Sequence, residues 1–253
     1  MIVLDSEKRR VNILEFPREE FVASRWQYRA GQHVTIVGPT DWGKTTLAYQ
    51  LMEPVVTSKM PAVSLVMKPQ DETVDLWIPG MGHRIVREWP PDPLKEVYEG
   101  RAPGYALWPR HTFDAEVDDP HLYWNFKRCI SQVYGRKIGR RKIPAGIIFS
   151  DEVAGLARLY NLGRQLDNVW ERGRSQRIGL WGASQRPYNV PQNAYGMAAH
   201  LFLGNDPDKR SRQRYGEIGG VDAKLVENAT LELEDHCWLY LRRKPKAVCI
   251  VSA

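Results

Sequence analysis

The sequence predicts an α/β domain with a mostly parallel central sheet flanked by helices, a small N-terminal strap and a C-terminal β-hairpin. Three observations carry this. The β-branched run Val34, Thr35, Ile36, Val37 leads into a glycine-framed turn and a helix start within HVTIVGPTDWGKTTL, His33 to Leu47. The apolar runs Ala62 to Met67 and Ile147 to Phe149 have strand length without alternation, as in strands buried on both faces of a parallel sheet. Stretches with helical spacing lie between such runs. At 253 residues the chain is read as a single domain, residues 1–253, able to bury a core without a metal or a disulfide.

Residues 1–32 form the strap. Ile2 to Leu4 and Val11 to Leu14 pair across the charged DSEKRR turn, and PREEFVASRW opens a short helix with Pro17 and acids in the first turn. The helix after the glycine turn runs through Leu47, Ala48, Leu51 and Met52 until Pro54. Residues 68–119 are rich in proline and glycine and weakly periodic, and are expected to be an irregular insert. Within it Arg84 to Val86 reads as a strand, and Tyr105 to Trp108 is a second short apolar run. From Pro120 to Ile138 the spacing of Leu122, Phe126, Cys129, Ile130 and Val133 predicts an amphipathic helix. A buried strand then ends at Ser150, with Asp151 and Glu152 just beyond it. Residues 163–177 form a helix with Leu166, Val169 and Trp170 on one face, and Ile178 to Ser184 a strand ending in Gln185, Arg186 and Pro187. His200 to Leu203 is another strand, 207–216 a basic helix, 221–228 a further helix, and 236–253 the terminal hairpin around RRKPK.

Gly38, Gly43, Lys44 and Thr45 meet the pattern G-x-x-x-x-G-K-[ST] directly after a strand, the context a phosphate-binding loop requires. Backbone N–H groups across Gly38, Thr40, Asp41, Trp42 and Gly43 would point inward at phosphate. Lys44 would reach the β- and γ-phosphate oxygens of ATP, the Thr45 hydroxyl would ligate Mg²⁺, and Thr46 would donate to the α-phosphate. Asp151 would hold Mg²⁺ and Glu152 would polarise the attacking water. The competing reading is that these two acids only cap the next helix. Gln185 would sense the γ-phosphate through an amide that both donates and accepts, or serve as a plain loop residue.

Composition narrows the setting. Cys129, Cys237 and Cys249 show no C-x-x-C spacing and are odd in number, which argues against a disulfide framework and fits a reducing cytosol. No apolar run reaches the ~20 residues of a membrane span. The net charge of +6 suits a polyanionic partner. Nine tryptophans, several in proline-rich stretches, suggest an interface for a protein partner in the middle of the chain.

GPTDWGKTT, IIFSDE and ERGRSQRIGLWGASQRP, in that order, resemble the FtsK/HerA superfamily of DNA-translocating ATPases over roughly residues 33–215. The last stretch is the most specific. The resemblance implies a RecA-like P-loop NTPase core, a homo-oligomeric ring of six subunits, ATP with Mg²⁺, and movement along double-stranded DNA, with Lys44, Thr45, Asp151, Glu152 and Gln185 in the roles above. No membrane region, winged-helix tail or nuclease domain is evident, so the expectation is a compact translocase like the packaging or transfer ATPases of viruses and mobile elements. In such rings an arginine completes the neighbour's site. Arg172 and Arg174 are the first candidates, with Arg210 and Arg212 behind them. For DNA phosphates the first choice is the loop with Arg136, Lys137, Arg140, Arg141 and Lys142, with Lys209 to Arg214 and Arg242 to Lys246 as competitors. Two other functions share the phosphate loop: a small-molecule phosphotransferase, and a nucleotide-gated assembly or secretion ATPase.

Overall fold

The computed structural model describes residues 1–253. The chain opens with β1 (Ile2–Leu4) and β2 (Arg10–Asn12), an antiparallel hairpin standing apart from the main sheet. Then come β3 (Glu15–Pro17), α1 (Arg18–Glu20) continued by a π-helical turn at Phe21–Arg25, β4 (His33–Val37), α2 (Lys44–Met52) and β5 (Ala62–Leu65). The middle holds α3 (Glu72–Gly80), β6 (Arg84–Val86), α4 (Pro93–Tyr98), β7 (Gly104–Leu107), α5 (Ala115–Tyr134) and a two-residue hairpin, β8 (Lys137–Ile138) with β9 (Arg141–Lys142). The last part is β10 (Gly146–Ser150), α6 (Val153–Arg158), α7 (Gly163–Gln176), β11 (Ile178–Ser184), α8 (Gln192–Gly196), β12 (Ala198–Leu203), α9 (Lys209–Gly219), α10 (Ala223–Leu231), β13 (Trp238–Arg243) and β14 (Lys246–Ser252).

Ten strands form one sheet in the order β3-β14-β13-β12-β4-β11-β10-β5-β7-β6. Only β13 runs against the others, because the tight turn into β14 sends the chain straight back. The pleat divides each strand between two cores. Ile147 and Phe149 face the layer of Phe21, Leu47 and Ile78, whereas Ile148 faces Leu122, Leu166 and Tyr215. Strands buried on both faces explain why the sequence shows continuous apolar runs rather than alternation.

Three expectations change. Residues 68–119 are not an irregular insert: α3, β6, α4 and β7 extend the parallel sheet to its far edge. The long helix starts before Pro120, at Ala115, because the Asp114 carboxylate accepts the Glu116 amide at 3.0 Å while Asp118 ties down the preceding loop at Thr112 and Phe113. The tryptophans are chiefly core. Trp26, Trp89, Trp108, Trp170, Trp181 and Trp238 are buried, and Trp124 is the one that stands exposed, at 61%. Trp89 and Trp108 bury their rings while their indole N–H groups donate to the Gln132 side chain and the Lys68 carbonyl, so neither offers its ring to a partner. The three cysteines are free and buried. No helix is long and apolar enough to cross a membrane.

Candidate functional site

Because nine strands point one way, the residues after their C-terminal ends gather along one edge of the sheet, where open α/β sheets hold ligands. Thr40 to Thr46 follow β4, Lys68 follows β5, Asp151 and Glu152 follow β10, and Gln185 follows β11. Arg18 follows β3 in the same sense, and His236 precedes the one reversed strand. All of these but Trp42 line a single cavity of about 550 Å³.

The loop holds itself open for an anion. Gly43 (φ +81°) and Asp41 (φ +59°) take left-handed conformations that turn the chain into α2. No side chain caps that helix, and the amides of Lys44, Thr45 and Thr46 find no acceptor within the chain. They stand as free donors at a helix N-terminus. Gly38 serves packing instead: a Cβ there would lie 3.1 Å from the Trp238 ring. Trp42 turns away from the cavity, its indole N–H donating to the Cys237 carbonyl at 3.0 Å and its ring lying 5.9 Å from that of His236. Its side chain anchors the loop, so of the expected nucleotide contacts Gly38 and Trp42 contribute none by side chain or by lining.

Lys44 is 9% exposed, and its ammonium donates to the Pro39 carbonyl at 2.5 Å across the loop. Burial pushes its pKa down to about 8, against the pull of the Glu152 and Asp151 carboxylates. Asp151 is raised above the usual carboxylate range by burial, opposed by Lys68, whose ammonium sits 3.2 Å from Oδ2. Lys68 also lies 3.3 Å from Asp71. Burial alone would lower its pKa, but the two carboxylates outweigh it and raise the value. Asp151 Oδ1 is buried with no partner. An orphaned carboxylate oxygen beside the Thr45 hydroxyl's loop fits a hard cation such as Mg²⁺, which keeps most of its ligands as water and phosphate.

Glu152 does not cap α6, since its side chain makes no bond to that helix. Instead Oε1 accepts the buried Ser184 hydroxyl at 2.9 Å and Oε2 the Gln185 amide at 3.3 Å. The carboxylate is therefore held at the end of β11, a strand beside its own, and faces the cavity. The Gln185 side chain is exposed and lines the same space.

The remaining candidates lie elsewhere. Arg172 and Arg174 are exposed near the C-terminal end of α7, which delivers the chain to the start of β11, so they sit at the opposite edge of the sheet from Lys44. Gly31, just before β4, packs against the Arg174 backbone there. Arg210 and Arg212 open α9 beyond the end of β12, on the Lys44 edge but outside the cavity; Arg212 is engaged with the Asp206 carbonyl at 2.7 Å. In the basic loop, Arg136, Lys137, Arg140 and Lys142 are exposed on the β8–β9 hairpin, whereas Arg141 is paired with Glu96 at 3.1 Å and is removed from the set of free phosphate contacts. The hairpin leads into the start of β10 and so also lies at the edge away from Lys44. Five cavity residues escaped the sequence reading: Arg18, Lys68, Thr73, His236 and Ala253. For Lys68 a signal exists, since it follows an apolar strand as Asp151 does. Arg18 and His236 come from the two ends of the chain, and only the sheet order brings them in.

No protein-family model matches this sequence, and no curated protein matches it. Solved structures do. The DNA-packaging ATPase B204 of Sulfolobus turreted icosahedral virus superposes with a TM-score of 0.58 over 89% of this chain and 98% of its own, at 15% identity. The likeness shows the fold of a P-loop ATPase. B204 from Sulfolobus turreted icosahedral virus 2 in complex with ATP-γ-S gives 0.57 over 89% and 98%, also at 15% identity. The cytoplasmic domain of the type VII secretion ATPase EccC from Thermomonospora curvata gives 0.57 over all of this chain but 28% of its own, again at 15% identity. In the P-loop ATPase fold of this chain, the motifs read from sequence occupy one edge and the arginines of α7 the other.

Proposed function

We propose that this chain is an ATPase that couples ATP hydrolysis to movement of double-stranded DNA, working as a homo-oligomeric ring. The observation that carries the reading is Glu152, held by Ser184 and Gln185 and facing the cavity that Lys44 enters. A carboxylate fixed there accepts the proton of a water as its oxygen attacks the γ-phosphorus, while the free amides of Lys44 to Thr46 hold the phosphates that stay behind. Mg²⁺, held by Thr45 and Asp151, would neutralise charge on the phosphates. Gln185 shares a backbone bond with Glu152, so loss of the γ-phosphate would be felt directly at the end of β11. A phosphotransferase would have to shut water out, and an open cavity with Glu152 and Gln185 on its wall does not favour that.

The placement of Arg172 and Arg174 supports a ring. Lying across the sheet from their own Lys44, they have no route to it, whereas head-to-tail packing would present them to a neighbour. Arg136, Lys137, Arg140 and Lys142, with Lys244 and Lys246 at the β13–β14 turn, put further exposed cations along that same edge, suited to phosphates in any sequence. The packaging role in the name of B204 and the type VII secretion role of EccC frame the two cargo readings.

The test is phosphate release from ATP with and without duplex DNA at low salt. The reading expects hydrolysis stimulated by DNA and abolished in Lys44→Ala. Nucleotide-dependent assembly with no stimulation by DNA would favour the secretion-type reading. Absence of hydrolysis under both conditions would overturn the proposal.

A further inference from the structure

The cavity has two ends, and the chemistry so far uses one. Lys68, Asp151, Glu152 and Gln185 mark the γ-phosphate end. On the far side of Lys44 to Thr46 stand Arg18 and His236. Arg18 is clamped in its own plane: Nη1 donates to Gln50 Oε1 at 3.3 Å and Nη2 to the His236 carbonyl at 2.6 Å. Its Nε is buried without a partner. Gln50 lies one helical turn beyond Thr46 on α2, so the clamp places the guanidinium past the residue that meets the α-phosphate. The His236 carbonyl that closes the clamp is itself fixed, since the His236 ring lies against Trp42 and its Nδ1 is 3.7 Å from where a Gly43 Cβ would stand.

We infer that Arg18 is the base platform of the nucleotide site: the flat face of its guanidinium stacks on the base of a bound nucleoside triphosphate. The inference rests on the nucleotide reading above and assigns the part of the ligand that reading leaves unplaced. Bonds from both terminal nitrogens to Gln50 and the His236 carbonyl fix the guanidinium plane, and stacking and cation–π attraction on such a plane are tolerant of base identity. Arg18 is therefore a binding residue with little selectivity between adenine and guanine.

Titrations of ATP, GTP and tripolyphosphate into the wild type and into Arg18→Ala, Arg18→Lys and Lys44→Ala, with Mg²⁺, test this, with thermal melts to establish folding. The expected result is a loss of roughly tenfold in affinity for both ATP and GTP in Arg18→Ala, no change for base-free tripolyphosphate, and similar ATP and GTP affinities in the wild type. Arg18→Lys keeps the charge without the plane and should resemble Arg18→Ala. Equal weakening of all three ligands, or full rescue by lysine, would show a phosphate contact and overturn the inference, as would unchanged ATP affinity in Arg18→Ala. Failure of the nucleotide reading itself has a different signature: Lys44→Ala would bind ATP as the wild type does.

Discussion

Lys44 shows how a single residue trades stability for function. Its ammonium is taken out of water into a loop that offers one carbonyl, so its pKa falls from the usual lysine value to about 8. A triphosphate needs the charged form. ATP affinity should thus hold between pH 6 and 7 and decline as pH rises through about 8, by about tenfold at pH 9 if only the ammonium binds. Calorimetric titration across this range checks it; a flat profile would place Lys44 in contact with solvent. Ser184 makes the complementary case. It touches no ligand in this account and acts by aiming Glu152, so Ser184→Ala should lower kcat by about tenfold while leaving ATP affinity intact. A fall in affinity instead would make Ser184 part of the binding surface.

At the scale of elements, the sequence was most legible where a strand was long and buried on both faces. β4, β10 and β11 announce themselves by β-branched or aromatic runs, and the residues at their ends were readable with them, from Gly43 and Lys44 to Asp151 and Gln185. β6 is legible too, as Arg84 to Val86, but β7 reads only as a short apolar run, because four residues among prolines carry too little periodicity to separate a short sheet strand from a loop. The tryptophans misled for a related reason: Trp89 sits among prolines in sequence, yet its ring is buried and its amide bonds to Asn125 of α5. The first of the two glycines inside β11 has a use the sequence concealed. A Cβ on Gly179 would fall 2.1 Å from the Tyr28 hydroxyl and 2.4 Å from the Gln32 carbonyl, which are bonded to each other at 3.0 Å at the entry to β4. Gly179→Ala must push that turn off the sheet and should cost at least about 2 kcal/mol in denaturant unfolding. A variant as stable as the wild type would mean that the Tyr28 turn moves freely.

For the whole molecule, three buried histidines set the response to acid. Burial lowers the pKa of His33 and of His83 to about 4, and that of His200 to about 3. His33 accepts the Leu180 amide at 2.9 Å, and His200 is bonded to Tyr240 and Gln32, so two of the three tie strands together as neutral rings. Unfolded histidine titrates near 6.5, so between that value and about 4 the unfolded chain holds more protons. Their contribution to stability is complete above pH 6.5 and is lost as pH falls through that window. Melting temperatures should drop from pH 7 to pH 5; an unchanged melt would show the rings to be hydrated. The same scale holds the central claim, that Lys44 and Glu152 on one edge of a subunit meet arginines from the opposite edge of the next. The direct measurement is the oligomeric state of Glu152→Gln, which should bind ATP without turning it over, mixed with ATP and a DNA duplex. The account predicts a closed ring on the duplex that dissolves when ATP is omitted or when Arg172 and Arg174 are both replaced by alanine. Monomers that bind ATP with DNA present would contradict it.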